Sequence, residues 1–97
     1  MNASVAIQVL PQQVDQKKML DCVDAVIEYI ASCNVKYTVG PFETVLEGDF
    51  DALMEIVRAC LRICVAAGAP GVLGYVKVSY CPDGVLTIEE KTEKYQK

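Results

Sequence analysis

The residues of this chain that could do chemistry are concentrated in one segment, Tyr37 to Gly48. Two polar side chains, Thr44 and Glu47, stand there among apolar neighbours. A carboxylate accepts hydrogen bonds and a hydroxyl both donates and accepts them, so either can be a polar anchor in an apolar pocket. Gly40-Pro41 interrupts two β-rich runs, which predicts a hairpin that positions both side chains.

The same sequence offers little for catalysis. It contains no histidine, the side chain that most often moves protons near neutral pH. No Ser/His/Asp set or Cys/His pair can form, and there is no glycine-rich phosphate loop. Catalysis would need a carboxylate, lysine, tyrosine or cysteine with a shifted pKa. We therefore predict a protein that is not an enzyme and has no catalytic residues.

The five cysteines, at positions 22, 33, 60, 64 and 81, include no CxxC pair. Their odd number and spacing do not fit a disulfide framework or a zinc ribbon. Cys60 and Cys64 are one helical turn apart and could begin a metal site, but no histidine can complete it. We predict buried thiols that pack as small hydrophobic side chains, and no metal site.

Charge and hydropathy exclude two classes of partner. The net charge is −4, whereas nucleic-acid affinity comes mostly from basic patches. The nine Lys and Arg residues are scattered and form no stripe with aromatic residues. No apolar run reaches the roughly 18 residues that a membrane span needs, and no signal peptide is recognisable. We expect a cytoplasmic protein with no nucleic-acid or membrane partner.

Hydrophobic periodicity predicts the order β-α-β-β-α-β, with a short helix after it. Pro11 is expected to end the first strand, and Asn34 and Gly68 to end the two long helices in a left-handed conformation. Thr87 and Glu90 form a capping box for the terminal helix, and Val85-Leu86 could add an edge strand before it. The predicted strands are residues 4–10, 35–39, 42–46 and 72–81, and the predicted helices are 15–32, 49–67 and 87–95.

This order predicts one α+β domain over residues 1–97, a ferredoxin-like sandwich with two helices on one face of an antiparallel four-stranded sheet. The opposite face is mixed in polarity, which self-association over that face or along the sheet edges would explain. Its predicted members are Ala6, Gln8, Thr38, Glu43, Val45, Glu47, Tyr75 and Lys77.

One motif points further than the fold. The run Lys-Tyr-x-Val-Gly-Pro-x-x-Thr-x-x-Glu-Gly, from Lys36 to Gly48, resembles the signature of the small thiamine-binding protein family. The resemblance extends to a strand ending in proline (Val9-Leu10-Pro11), an apolar fourth strand and the segment Thr87 to Lys91. It implies a ferredoxin-like fold and non-catalytic binding of thiamine or its hydroxymethylpyrimidine half, as a carrier or buffer without a cofactor. It also implies a homotetramer built as a dimer of dimers.

The resemblance also implies roles for the polar residues. A carboxylate such as Glu47 or Glu43 would accept from the exocyclic amine of an aminopyrimidine, and a hydroxyl such as Thr44 or Thr38 would bond beside it. A tyrosine would stack on the ring. The predicted ligand-binding residues are Gln8, Tyr37, Thr38, Glu43, Thr44 and Glu47.

Each role has a structural alternative. Glu47 could be a charge before a helix start, Thr44 an ordinary strand residue and Tyr37 a core residue. Gln8 and Lys77 could be interface contacts, and Phe42 could fill the pocket or form its wall. A protein-interaction module that uses the open sheet face without a small ligand is the alternative function.

Overall fold

The computed structural model describes residues 1–95 and confirms the predicted order of elements. The first half contains β1 (Ala3–Gln12), α1 (Gln16–Ser32), β2 (Lys36–Val39) and β3 (Thr44–Gly48). The second half contains α2 (Phe50–Ala66), β4 (Gly71–Tyr80) and α3 (Ile88–Thr92), and a 3-10 turn, Glu93–Tyr95, follows.

The four strands form one antiparallel sheet in the order β2-β3-β1-β4. The two long strands, β1 and β4, pair along their full ten residues, from Ala3 opposite Tyr80 to Gln12 opposite Gly71. β3 pairs only with the first half of β1, from Ala3 to Ile7. The fold is the predicted ferredoxin-like sandwich, and β2 and β4 are its edge strands.

The helix ends follow the capping residues that the sequence indicates. Asp15 accepts from the Lys18 backbone N–H at 2.8 Å and starts α1. Asn34 (φ 57°) and Gly68 (φ 116°) adopt the left-handed conformation after the long helices, as predicted. The capping box between Thr87 and Glu90 is complete in both directions. Local side chains therefore determine where these helices begin and end.

The core lies between the sheet and the helices α1 and α2. Val5, Ile7 and Leu46 supply the sheet side, and Ile30 and Leu53 are the largest fully buried helix residues. Three thiols complete the layer between the helices. Cys22, Cys60 and Cys64 are fully buried, as predicted, whereas Cys33 is half-buried and Cys81 is exposed.

Several boundaries differ from the sequence prediction: β1 continues past residue 10, β3 is shifted by two residues, and α3 ends at Thr92 rather than at residue 95. Pro11 does not end β1, which continues to Gln12 with Pro11 opposite Val72. Beyond Ile7 this part of β1 has a partner only in β4, and a proline is tolerated where one side of a strand is unpaired. β3 begins at Thr44 rather than residue 42, because residues 40–43 form the hairpin loop. Residues 85 and 86 belong to no strand.

Candidate functional site

The sheet register divides the predicted site residues between two faces. Gln8 lies opposite Tyr75, and Thr38 lies opposite Val45, all on the face that α1 and α2 leave open. Tyr37 and Thr44 belong to the other face, because their partners in the register are the core residues Leu46 and Ile7. The six predicted residues therefore do not form one cluster.

Gln8, Thr38 and Glu43 come together in a concavity of about 660 Å³ on the open face, the sheet hollow. Its volume lies within the usual range for small-ligand sites. The Lys77 ammonium lies 3.2 Å from the Glu43 carboxylate in this hollow. The hollow is lined by Gln8, Thr38, residues 40–43, Val45, Tyr75 and Lys77.

The hairpin loop of residues 40–43 forms one wall of the sheet hollow. The Gly40 N–H donates to the Glu43 carbonyl at 2.9 Å, which closes the loop. A Cβ at position 40 would lie 3.0 Å from that same carbonyl oxygen, so glycine permits this close turn. Phe42 lines the hollow from the loop with 77% of its surface exposed. It therefore lines the concavity and does not fill it.

Thr44 and Tyr37 lie on the helix side. Thr44 is 8% exposed and lines a pocket of about 200 Å³ between α1 and the hairpin, which shares Gln8 and residues 40–43 with the sheet hollow. Tyr37 is 37% exposed. The register places both side chains on the helix side of the sheet, and the pocket that Thr44 lines adjoins the sheet hollow through Gln8 and the hairpin loop.

Glu47 lies on the open face, but α3 covers it. The residue is 4% exposed, and its carboxylate accepts a hydrogen bond from the Ile88 backbone N–H in the first turn of α3. Lys36 adds a second connection, since its ammonium lies 3.4 Å from the Glu89 carboxylate. The structure thus gives Glu47 a fold role, in which it attaches the C-terminal helix to the sheet.

A second concavity of about 330 Å³, the C-terminal hollow, lies between α3 and the sheet. It shares Glu43, Val45 and Lys77 with the sheet hollow, so the two adjoin. Its remaining lining residues are Ser4, Ala6, Val78, Ser79, Ile88, Lys91 and Thr92.

The predicted ligand-binding residues do not include Tyr75 or Lys77, although Lys77 is a candidate for an interface or ligand contact. Both come from β4 and line the sheet hollow. The alternation of apolar and polar residues in β4 assigns both of them to the open face. The signal that would have selected them is their register, since Tyr75 faces Gln8 and Lys77 faces Ala6 across the β1–β4 pair. To place Tyr75 and Lys77 beside Gln8, one must know that β1 and β4 are neighbours in the sheet, and the hydrophobic pattern of a single strand does not show this.

Several groups outside the sheet hollow have shifted pKa values. Burial raises the pKa of Cys60 to about 12 and also raises the pKa of Cys64. Hydrogen bonds from Thr87 lower the pKa of Glu90. Within residues 1–95, no three His, Cys, Asp or Glu side chains are close enough together to hold a metal ion. In the same range, no helix is long and apolar enough to cross a membrane.

Comparison with known proteins decides the family. A profile described as thiamine-binding protein matches residues 5–96, nearly the whole chain. The chain belongs to the thiamine-binding protein family. Among curated relatives of this thiamine-binding family member, a UPF0045 protein of Clostridium perfringens is 45% identical over 93 residues, or 96% of each chain.

Solved structures agree with this family fold. A domain of unknown function, DUF77, from Bacillus cereus superposes with a TM-score of 0.88 at 35% identity, covering 99% of this chain and 91% of that one. A Thermotoga maritima protein assigned provisionally to thiamine biosynthesis or salvage superposes with a TM-score of 0.87 at 33% identity, covering 99% of this chain and all of that one. None of these descriptions names a catalysed reaction.

Proposed function

We propose that this protein binds thiamine or its hydroxymethylpyrimidine half in the sheet hollow, without catalysis, as a carrier or buffer. The observation that carries the proposal is the convergence of Gln8, Thr38 and Glu43 on one concavity of ligand size, in a member of the thiamine-binding family. The family description supports a thiamine-related ligand, and the hollow contains polar side chains that can form hydrogen bonds with one.

An aminopyrimidine ring presents an exocyclic amine donor beside ring-nitrogen acceptors. Glu43 is the carboxylate that lines the sheet hollow, and it would accept from the amine. The Thr38 hydroxyl and the Gln8 side-chain amide can donate to ring nitrogens. This set of one acceptor and two donors complements one edge of the ring.

Two aromatic side chains suit the flat faces of the ring. Phe42 comes from the hairpin loop and Tyr75 from β4, and both line the hollow with most of their surface exposed. Offset stacking on an aromatic ring contributes roughly 0.5–1.5 kcal/mol beyond area burial. The polar edge then selects the orientation, and the aromatic rings supply contact area.

The polar side chains of the sheet hollow suit a binding role better than a catalytic one. The chain has no histidine, and the carboxylate in the hollow is paired with Lys77 at 3.2 Å. A paired carboxylate and ammonium can hold polar groups of a ligand, which is the non-catalytic role that we assign to them.

Isothermal titration calorimetry with thiamine and with hydroxymethylpyrimidine tests the proposal. Wild-type protein is expected to bind at least one of them. Glu43→Gln should weaken that ligand about tenfold, because a hydrogen bond to a charged group contributes about 1.5 kcal/mol or more. Glu28→Gln, an exposed change on α1, is the matched control and should leave the affinity unchanged. No heat for either ligand at millimolar concentration would refute the proposal.

A protein-interaction role is the second candidate, and β4 is the feature that favours it. This edge strand exposes Leu73, Val76, Val78 and Tyr80. Exposed apolar surface of this kind marks a binding surface more often than an isolated apolar residue does. Native mass spectrometry separates the candidates, because a co-purified heterocycle supports ligand binding and a co-purified protein supports the alternative.

We assign that apolar edge to self-association and propose the homotetramer, a dimer of dimers. An exposed edge strand can pair with the same strand of a second copy. Light scattering after size exclusion should give the mass of four chains, and Val78→Lys should lower it. We also propose a cytoplasmic location, which five unpaired cysteines support because thiols stay reduced there.

A further inference from the structure

The C-terminal hollow differs in chemistry from the sheet hollow that it adjoins. Ser4 and Ser79 are directly opposite each other in the β1–β4 register, so two small hydroxyl side chains lie side by side on its floor. Lys91 lines it from α3, and Lys77 lines it from β4. These are hydrogen-bond donors, and two of them carry positive charge.

The charges that line this hollow contrast with those of the chain as a whole. The protein has a net charge of −4, yet the hollow is lined by Lys77 and Lys91 against the single carboxylate of Glu43. The nearby Glu47 carboxylate is buried and accepts from the Ile88 N–H. The Thr92 hydroxyl already donates to the Ile88 carbonyl at 2.8 Å. Because Lys77 pairs with Glu43, the groups that remain for a ligand are the Lys91 ammonium and two serine hydroxyls, which favour an anion.

The size of the hollow fits a phosphoryl group. At about 30 Å³ per water molecule, its volume of about 330 Å³ corresponds to roughly ten waters. A phosphoryl group with part of its hydration shell fits in that space. The shared wall of Glu43, Val45 and Lys77 means that one ligand can reach from one hollow into the other.

We propose that the C-terminal hollow binds the phosphoryl group of a phosphorylated aminopyrimidine whose ring occupies the sheet hollow. This inference rests on the proposed function and specifies its ligand class. Lys77, Lys91 and the hydroxyls of Ser4 and Ser79 would hold the phosphoryl oxygens. A cationic thiazolium ring suits the same space less well, because two ammonium groups line it.

The test compares hydroxymethylpyrimidine with its phosphate ester by titration calorimetry on the full chain. Near pH 7.5 the ester is expected to bind about tenfold more tightly, a modest gain because both lysines are solvent-exposed. The gain should shrink toward pH 5, since a phosphate monoester loses its second negative charge below a pKa of about 6. The charged side chains that face the phosphoryl position are Glu43, Lys77 and Lys91, and the unphosphorylated compound, measured at each pH, corrects for changes in the binding of the ring.

Variants test the position of the phosphoryl group through the ratio of the two dissociation constants. Lys91→Gln should reduce the ratio from about tenfold to about threefold, as loss of one exposed charge pair would. Lys17→Gln is the matched control on α1, outside both hollows, and should leave the ratio unchanged. Inorganic phosphate should compete with the ester and not with the unphosphorylated compound.

The outcomes separate this inference from the function on which it rests. Equal affinity for the two compounds, or an unchanged ratio in Lys91→Gln, would overturn the phosphoryl site and leave pyrimidine binding intact. Inorganic phosphate that fails to compete with the ester, or that displaces the unphosphorylated compound, would also overturn it. Binding of neither pyrimidine compound nor thiamine would refute the proposed function itself.

Discussion

Glu47→Ala should release α3 from the sheet. The Glu47 carboxylate is the acceptor for the Ile88 N–H, at a position where the residue is 4% exposed. α3 spans only Ile88–Thr92 and has no fully buried residue of its own. A helix this short depends on such contacts with the rest of the fold, because isolated short helices are unstable in water.

The expected cost follows from two contributions. A partly buried N–H that loses its acceptor costs about 1–3 kcal/mol. A carboxylate lost from the first turn of a helix costs about 0.3–1 kcal/mol more. We expect about 2 kcal/mol in all, which corresponds to a roughly 30-fold larger population of opened α3. Glu47→Gln keeps an acceptor oxygen and should cost about half as much.

Hydrogen exchange of the amides in α3 is the appropriate assay, because α3 can open while the core stays folded. Glu47→Ala should accelerate exchange there and leave α1 and α2 unchanged. Glu43→Gln is the matched control, since it removes a carboxylate near the same hairpin that makes no bond to α3. It should weaken ligand binding without altering exchange in α3. Unchanged exchange in Glu47→Ala would refute the fold role that we give to this carboxylate.

Three further predictions concern the core and one helix end. Leu53→Ala, at a fully buried position, should lower the unfolding free energy by about 2–5 kcal/mol in urea titrations. Stability should decrease above about pH 9. Burial raises the pKa of Cys60 to about 12 in the folded protein, so its thiol ionises at lower pH when the chain is unfolded. In denaturation measured as a function of pH, Cys60→Ala should make that decrease smaller. Asn34→Val should lower the unfolding free energy, measured in urea titrations, by about 1 kcal/mol or more, because φ is 57° at this position. Asn34→Gly should not lower it.

The fold could be predicted from local signals because those signals agree with one another. Asp15 caps α1, and Asp49, whose side chain accepts from the Ala52 N–H, caps α2. The alternation of Val5 and Ile7 selects the buried face of β1, which the structure confirms. The prediction that Pro11 ends β1 is wrong, because the effect of a proline depends on the strands beside it. A proline ends a strand that is paired on both sides, and β1 is paired on one side only at that point.

The site was harder to predict because it depends on which strands are neighbours. Thr44 and Glu47 are three residues apart, so they must lie on opposite faces of a regular strand. Thr44 accordingly lies on the helix side, and Glu47 lies beneath α3. Sequence reasoning included Glu43 in the site from its position in the hairpin, and the structure does line the sheet hollow with it. Whether these residues bind a ligand stays a prediction.

The different surroundings of Glu43 and Glu47 explain why only one of them is available to a ligand. A buried carboxylate needs a hydrogen-bond partner, and for Glu47 the fold supplies the Ile88 N–H permanently. Glu43 has one-third of its side chain exposed and pairs with Lys77, an ion pair that costs little to break because it lies near water. A ligand amine that replaces Lys77 on Glu43 would free the ammonium at the wall of the C-terminal hollow. A ligand that also carries an anion into that hollow would give Lys77 a new partner, so the exchange would leave no charge unpaired.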